Sequence, residues 1–402
     1  MIEMKTKQNK AIFKVSLLSI SLFLMMAPQI SSALPLMYHA FPGVNETGVQ
    51  TLSTIPNFGI VAGLFLSPFL VRLFGEKATI ITGLVVTLIT GTFPMYSDNY
   101  TMILISRFLI GAGIGLFNSL AVSLIPQFYK SDEDELAKMI GYQNVMGSVG
   151  AAIASFLVSY LVTISWHAAF AIYFLVIPAL ILFTLFVPLS SNKAKGTVKE
   201  NKQHAKQKIN SKVILISALM FLIFTFYMPF SYTLPSLIIS KDLGTASTSA
   251  LITGLSTLVS IPIGASFGFF FKKIHDKILP LGMSLVTLGL LLIALSPNII
   301  VLFIAVIILG FGFGIAVPYM YNWLDWAAPE GSVNLGTTIV LVLVNIGCFL
   351  SPTIVDAMSN ALGMGSPEEI MLLSAGAYLL LTAYAFTHYL RVHRVQSKTN
   401  QN

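Results

Sequence analysis

The sequence predicts an all-α membrane protein whose twelve transmembrane helices form two six-helix pseudo-symmetric halves. Three observations support this fold class. The composition is strongly apolar, the apolar residues are gathered into twelve long runs, and one glycine pattern occurs once in each half of the chain.

The composition keeps most of the chain out of water. Of the 402 residues, 55% are hydrophobic and 10% are charged, and the mean hydropathy is +0.83. A soluble domain has about 25% charged residues. Apolar runs of about 20 residues are long enough to cross a bilayer as helices. The predicted spans are 14–37, 48–71, 78–97, 101–126, 138–163, 168–189, 212–239, 248–271, 278–296, 299–325, 333–357 and 369–391.

The glycine pattern predicts two copies of one unit. Residues 109–117 read LIGAGIGLF and residues 308–316 read ILGFGFGIA, an offset of 199. Glycine at every second position thins a helix and lets its neighbours approach, which suits both close packing and a helix that slides or bends. These candidate gating or packing residues are Gly111, Gly113, Gly115, Gly310, Gly312 and Gly314, with Gly75 in the loop after the second span.

A polar, basic segment over residues 190–212 divides the chain into halves at 1–189 and 213–402. We interpret it as a cytoplasmic linker. Weak duplication of this kind predicts halves related by an axis along the membrane normal, enclosing a central cavity. The run Ser31-Ser32-Ala33 resembles a signal-peptide cleavage site, but cleavage would leave five spans against six, so we expect a retained first span.

The net charge of +7 reflects orientation in the membrane and not nucleic-acid binding. With both termini in the cytoplasm, every Lys and Arg except Arg107 and Lys241 falls in a cytoplasmic segment. This is the positive-inside pattern, and these residues also contact anionic lipid headgroups. The single cysteine, Cys348, excludes an intrachain disulfide. The chain has no metal, nucleotide or nucleophile motif, so we expect neither an enzyme nor a cofactor.

Arg107 is the first candidate functional residue because it lies within an apolar span. A charge at the centre of a membrane helix costs roughly 2.5–3.5 kcal/mol on insertion scales. Arg107, Gly111 and Asn118 share one helix face, which should point into the protein. Two interpretations are open: an arginine satisfied by backbone carbonyls or a buried acid, and a residue that binds substrate or takes part in coupling. The second copy has Ile307 at this place.

Several motifs resemble the major facilitator superfamily over residues 11–395. Arg107 followed by alternating glycines resembles that family's helix-4 motif, and Trp166 with Phe170 resembles its W-x-x-x-F turn. The segments 27–35 and 52–56 are similar to those of twelve-span bacterial drug-efflux members. Two departures stand out: the basic loop after the second span has Arg72 where the family has Asp, and Ala151 follows Gly150 where family antiporters have Pro.

Polar side chains in the spans are candidates for substrate binding or coupling, because each needs a partner in another helix or in a solute. Proton coupling normally uses a carboxylate whose burial raises its proton affinity, and no acid falls clearly at mid-membrane. Glu46 and Asp325, near span ends, are the candidates for that role. Besides Arg107, the candidates for substrate binding are Gln29, Asn118, Asn144, Tyr232, Tyr319, Asn322 and Asn345.

The resemblance implies a monomeric secondary transporter of the bacterial inner membrane that works by alternating access. It favours efflux of small organic molecules, with or without proton coupling. A cavity with one cation and few acids favours neutral or anionic solutes over polycations. The alternatives are an uptake permease for a nutrient or organic anion, with Arg107 as carboxylate clamp, and a lipid flippase or sensor on the same scaffold.

Overall fold

The computed structural model of the protein describes residues 11–129, 132–189 and 208–399, and side chains only as far as Arg391. Throughout these ranges the regular elements are helices. Eleven are long and apolar enough to cross a membrane, and one bent pair completes a twelfth span, which confirms the predicted fold class. Residues 190–207 of the predicted linker lie outside the described ranges.

The spans, numbered 1 to 12 in chain order, are Ala11–Phe23 with Ala27–Ala40, Glu46–Phe74, Glu76–Met95, Tyr100–Tyr129, Glu133–Leu161, Ala168–Phe186, Ser211–Ser240, Ala246–Ala265, Phe267–Ala294, Ile299–Ala327, Val333–Ala361 and Pro367–Arg391. Span 12 continues as a helix to Thr399. The chain divides into two compact units, Met1–Gln203 and His204–Asn402.

Span 1 differs from its prediction as one continuous helix. Its two segments, Ala11–Phe23 and Ala27–Ala40, meet at an angle of 51°. A 3-10 helix with Pro28 in its first turn, Ala27–Ala33, follows the bend. Proline has no N–H to continue an α-helical ladder, and it disfavours the α conformation in the residue before it. The sequence therefore contained the cause of the bend, although apolar length alone predicted a straight span.

Spans 8 and 9 also begin and end differently from the prediction. The helix of span 8 ends at Ala265 and not at 271, and a separate helix, Phe267–Ile274, precedes Ile278–Ala294. Pro262, Gly264 and Gly268 surround the interruption at Ser266. Proline and glycine are the two weakest helix formers, so a break at this place needs no tertiary contact to explain it.

In the first unit, span 4 packs against spans 2 and 3 by direct contact between backbones. A Cβ atom added at Gly111 would lie 1.9 Å from the carbonyl oxygen of Pro56, and one at Gly115 would lie 2.4 Å from that of Ile60. The contact is mutual, since a Cβ at Gly63 would lie 2.2 Å from the carbonyl oxygen of Ala112. Only glycine allows this approach, so the pattern here serves close packing.

In the second unit, the same pattern contacts a neighbouring backbone on one side only. A Cβ at Gly312 would lie 2.7 Å from the carbonyl oxygen of Gly282 in span 9, which mirrors Gly113 against Gly83 in the first unit. Toward span 8 the contacts are made by side chains, since a Cβ at Gly310 would lie 2.7 Å from the hydroxyl oxygen of Ser260. A Cβ at Gly314 would meet only the side chain of Ile263, at 3.5 Å, which is ordinary van der Waals contact. Span 8 has no glycine between positions 254 and 264, so its side chains hold the two helices apart.

These contacts predict opposite effects for one substitution at matched positions. Gly115→Ala should force two backbones apart and destabilise the protein by about 2–3 kcal/mol, which lowers the apparent melting temperature by roughly 5–10 °C. Gly314→Ala should leave the melting temperature unchanged or slightly raised, because alanine has the higher helix propensity. Thermal unfolding of both purified variants in one detergent tests the difference, and equal losses would contradict the looser packing of spans 8 and 10.

Candidate functional site

Arg107 is the only charged side chain that is fully buried in the described part of the chain, with 0% of its surface exposed. Span 4 carries it into the interior of the first unit. There it reaches spans 1, 2 and 6. No part of the side chain is open to a solute in this conformation.

Three hydrogen bonds account for the guanidinium. Nε donates to the carbonyl oxygen of Leu52 at 2.9 Å, and Nη2 donates to that of Ala27 at 2.6 Å. Nη1 donates to the hydroxyl of Tyr173 at 2.7 Å. We call this set of contacts the arginine tie. It joins four spans through one side chain.

The tie falls where the helices are irregular. In a regular helix the carbonyl of Leu52 would accept from the N–H of residue 56, but that residue is Pro56 and has none. Ala27 opens the 3-10 segment that follows the bend of span 1. An unpaired carbonyl in an apolar interior costs about 1–3 kcal/mol. Arg107 therefore satisfies the Leu52 carbonyl, which Pro56 leaves without its helical donor, and adds a hydrogen bond to the first residue of the 3-10 segment in span 1.

The surroundings of the guanidinium are polarisable but carry no opposite charge. Its central carbon lies 5.7 Å from the ring centre of Phe170 and 5.8 Å from that of Tyr173, within cation–π range. The salt bridges of the described residues join Lys14 to Glu135, His167 to Asp98 and Lys241 to Glu368, and none includes Arg107. The positive charge is thus solvated by dipoles and rings and not neutralised.

In the second unit, a neutral hydroxyl donates to a carbonyl that a proline leaves without its helical donor. Span 7 breaks at Pro229, which leaves the carbonyl of Thr225 without its helical donor. The hydroxyl of Ser351 donates to that carbonyl at 2.5 Å and lies 3.2 Å from the hydroxyl of Tyr232. A hydroxyl here does what Arg107 does for span 2.

Four of the predicted polar residues are engaged within their own unit. Gln29 accepts from Ser155 at 2.7 Å and donates to the Met25 carbonyl at 3.1 Å. Tyr319 donates to the carboxylate of Asp276 at 2.9 Å. Asn345 donates to Leu341, one turn earlier in its own helix. With Tyr232 at Ser351, these side chains already have partners, and their role in binding a solute stays a prediction.

Three other predicted residues are not engaged in this way. Within the described ranges, no hydrogen bond reaches the side-chain amides of Asn118, Asn144 and Asn322. Asn144 is exposed, and the other two are half-buried. Each amide keeps two N–H donors and one carbonyl acceptor for another molecule.

The two carboxylates predicted for proton coupling are both exposed. Glu46 lies in the first turn of span 2, directly after the capping residue Asn45, and Asp325 lies near the end of span 10. Neither side chain lies in the interior of its unit. Proton coupling through either one stays a prediction.

Gly75 has a conformational role that the sequence did not specify. It ends the helix of span 2 with φ +87°, a backbone angle that other residues rarely adopt. Its amide donates to the carbonyl of Val71, so it closes the helix as a C-terminal cap.

Sequence reasoning missed the partners of Arg107. Pro56 was an available signal, because a proline inside an apolar span leaves the carbonyl four residues earlier without its helical donor. Tyr173, which belongs to span 6, gives no such signal. Across the described residues, no group of three His, Cys, Asp or Glu side chains is placed to hold a metal ion.

The fold defines a polytopic membrane protein built from two six-span units. A comparison with family models agrees: the model of the Major Facilitator Superfamily matches residues 15–398. The chain belongs to that superfamily, as the motifs of the sequence implied.

Two curated relatives carry the name "Probable nitrate transporter NarT". The one from Staphylococcus haemolyticus (strain JCSC1435) is 25% identical over 386 residues, which covers 93% of this chain and 97% of the relative. The one from Staphylococcus aureus (strain JH9) is also 25% identical, covering 87% and 89%. The drug-efflux subtype suggested by the early segments finds no support among these names.

Solved structures show the same fold at low identity. The nucleoside transporter NupG matches with a TM-score of 0.76 at 12% identity, covering 96% of this chain and 99% of that one. The xylose transporter XylE from E. coli matches with a TM-score of 0.72 at 15% identity, covering 94% and 95%. At such identities the likeness extends to the fold alone.

The arginine tie makes a prediction that a double-mutant cycle tests. Arg107→Met should destabilise the protein by about 3 kcal/mol, because it leaves buried carbonyls unpaired. In a Pro56→Ala background the cost should be smaller by about 1 kcal/mol, since the backbone amide restored by that substitution can donate to Leu52. Thermal unfolding of the purified proteins measures each step.

A second proline in span 2 supplies the matched control. Pro68→Ala restores an amide in the same helix, but at an exposed position that Arg107 does not contact. The cost of Arg107→Met should be the same in that background as in the wild-type protein. An equal cost in all three backgrounds would refute the link between Arg107 and Pro56.

Proposed function

We propose that the protein is a secondary transporter that takes up a small anion by alternating access of its two units. The inner orientation of both termini, which follows from the distribution of Lys and Arg, is part of this proposal. Efflux of organic molecules and lipid flipping are the competing functions on the same scaffold.

The observation that carries the proposal is the buried positive charge without a counter-charge. In the described residues, Arg107 is the one charged group with no exposed surface, and its partners are neutral. In a medium of low dielectric constant its field is weakly screened. An anion inside the first unit would gain from that field, whereas a cation would lose.

The names of the relatives support the same class of solute. They are printed as probable nitrate transporters, and this chain covers nearly their whole length at 25% identity. Identity this low does not transfer a substrate, so nitrate is the first probe and not the conclusion. A small planar oxyanion also suits amide N–H donors, which Asn118, Asn144 and Asn322 offer.

Arg107 acts in this proposal as a positioning residue. It fixes spans 1, 2, 4 and 6 relative to one another and supplies a field, while the solute contacts other side chains. This differs from the carboxylate clamp that the sequence suggested. The clamp would require the tie to Ala27 and Leu52 to open.

The direct test is flux in proteoliposomes of the full chain. Labelled nitrate, nitrite and formate form the anion arm, and a neutral sugar and a cationic dye form the comparison arm. We expect saturable uptake of at least one anion and none of the dye. Saturable export of the dye, with no anion flux in either direction, would overturn the proposal in favour of efflux.

The amide side chains generate a separate prediction. Asn118→Ala and Asn322→Ala should each raise the KM for the transported anion by about tenfold, the cost of roughly one charge-assisted hydrogen bond. The melting temperature should not change, because neither amide has a partner among the described residues. Asn334→Ala, at an exposed amide in the first turn of span 11, is the matched control. Unchanged KM values in both variants would place the solute elsewhere.

A further inference from the structure

An apolar groove lies on the surface of the second unit, between spans 7 and 12. It has a volume of about 620 Å³. Leu219, Leu222 and Phe226 line it from span 7, and Leu372, Gly376 and Leu380 line it from span 12. We call it the span 7–12 groove. The predicted transport site does not use it.

The groove faces outward from the protein. Leu380 is 74% exposed and Leu222 is 39% exposed, although both belong to membrane spans. A leucine with that exposure at membrane depth contacts lipid. Gly376 leaves open space in the groove, since nothing lies within 4 Å of a Cβ added there.

One end of the groove is polar and basic. Tyr384 lines this end, and His388 stacks on it with ring centres 6.3 Å apart. Arg391, two turns further along the same helix, is close enough to act electrostatically on both. The charged residues of the neighbouring segment 272–277 are Lys272, Lys273, Asp276 and Lys277. The carboxylate of Asp276 also acts on His388, but it already accepts from Tyr319.

The other end of span 12 has the opposite character. Glu368 and Glu369 lie in its first turn. Glu368 is paired with Lys241 at 3.5 Å, and Glu369 accepts from the amides of Gly365 and Ser366. A negatively charged head group therefore finds complementary charge at the Arg391 end only.

On span 12 the groove is lined from Leu372 to Tyr384, and the distance from Arg391 into it suits one lipid chain. From Arg391 to Gly376 the helix rises about 22 Å at 1.5 Å per residue. Half of a bilayer, counted with its headgroup region, is about 20–22 Å deep. A lipid with its head group near Arg391 would thus have the end of its acyl chain in the open space beside Gly376.

We propose that the span 7–12 groove binds one anionic phospholipid, with its phosphate at Arg391 and an acyl chain along span 12 as far as Gly376. In the orientation given above, this is a lipid of the cytoplasmic leaflet. The site is independent of the transported solute, so its test requires no transport.

Native mass spectrometry of the full chain, titrated with phosphatidylglycerol or phosphatidylcholine of the same chains, tests the proposal. The wild-type protein should retain one phosphatidylglycerol more firmly than phosphatidylcholine. Gly376→Leu places a side chain in the groove at a position where the added Cβ meets no atom, and it should weaken phosphatidylglycerol binding by about tenfold. Arg391→Gln should remove the preference between the two lipids while the acyl chain still binds.

Gly264→Leu is the matched control, because Gly264 also has no atom within 4 Å and lies in span 8, away from the groove. It should bind phosphatidylglycerol like the wild type. Equal binding by Gly376→Leu and the wild type would overturn the proposal, and so would an unchanged lipid preference in Arg391→Gln. Displacement of the bound lipid by a transported anion would also overturn it, because the groove would then belong to the transport path.

Discussion

The first unit depends on the bond from Arg107 to the carbonyl of Leu52, which Pro56 leaves without a helical donor. The same guanidinium also donates to the carbonyl of Ala27 at the bend of span 1 and to the hydroxyl of Tyr173 in span 6. The energetic reason is that helix irregularities in a membrane protein must be repaired inside the protein, because lipid offers no hydrogen bonds. A charged donor makes stronger bonds than a neutral one, so Arg107 can satisfy the Leu52 carbonyl and also hold span 1 at its bend.

The tie and the glycine contacts reinforce each other. Pro56, which frees the Leu52 carbonyl, also places its own carbonyl against Gly111, one turn after Arg107. Only the absence of a side chain at that glycine brings span 2 close enough for Arg107 to reach Leu52. The charge is therefore held by the packing, and the packing is fixed by the charge. This mutual dependence accounts for an arginine and a glycine pattern lying side by side in span 4.

The sequence could predict the number and order of the spans because apolar length determines them, whereas the bend of span 1 and the break after span 8 depend on proline and glycine. It could single out Arg107 because a charge in an apolar run is costly. It could not choose between the two roles for that arginine. The choice depends on Tyr173 and Leu52, which lie far from it along the chain, and on a carbonyl that becomes available only through a missing N–H. The equal spacing of the glycines in the two patterns also predicted equal packing in the two units. Their difference comes from span 8, where Ile263 faces Gly314 and no glycine replaces it.

The asymmetry between the units bears on how such a protein changes shape. In the first unit, backbones touch at Gly111 and Gly115 and a buried charge joins four spans, so sliding would break several contacts at once. In the second unit, spans 8 and 10 meet through side chains, and Ser351 repairs span 7 with a neutral hydroxyl. Side-chain contacts rearrange by rotamer changes, whereas backbone contacts do not. Adjustment between spans 8 and 10 is therefore cheaper than adjustment between spans 2 and 4, whose backbones are in contact.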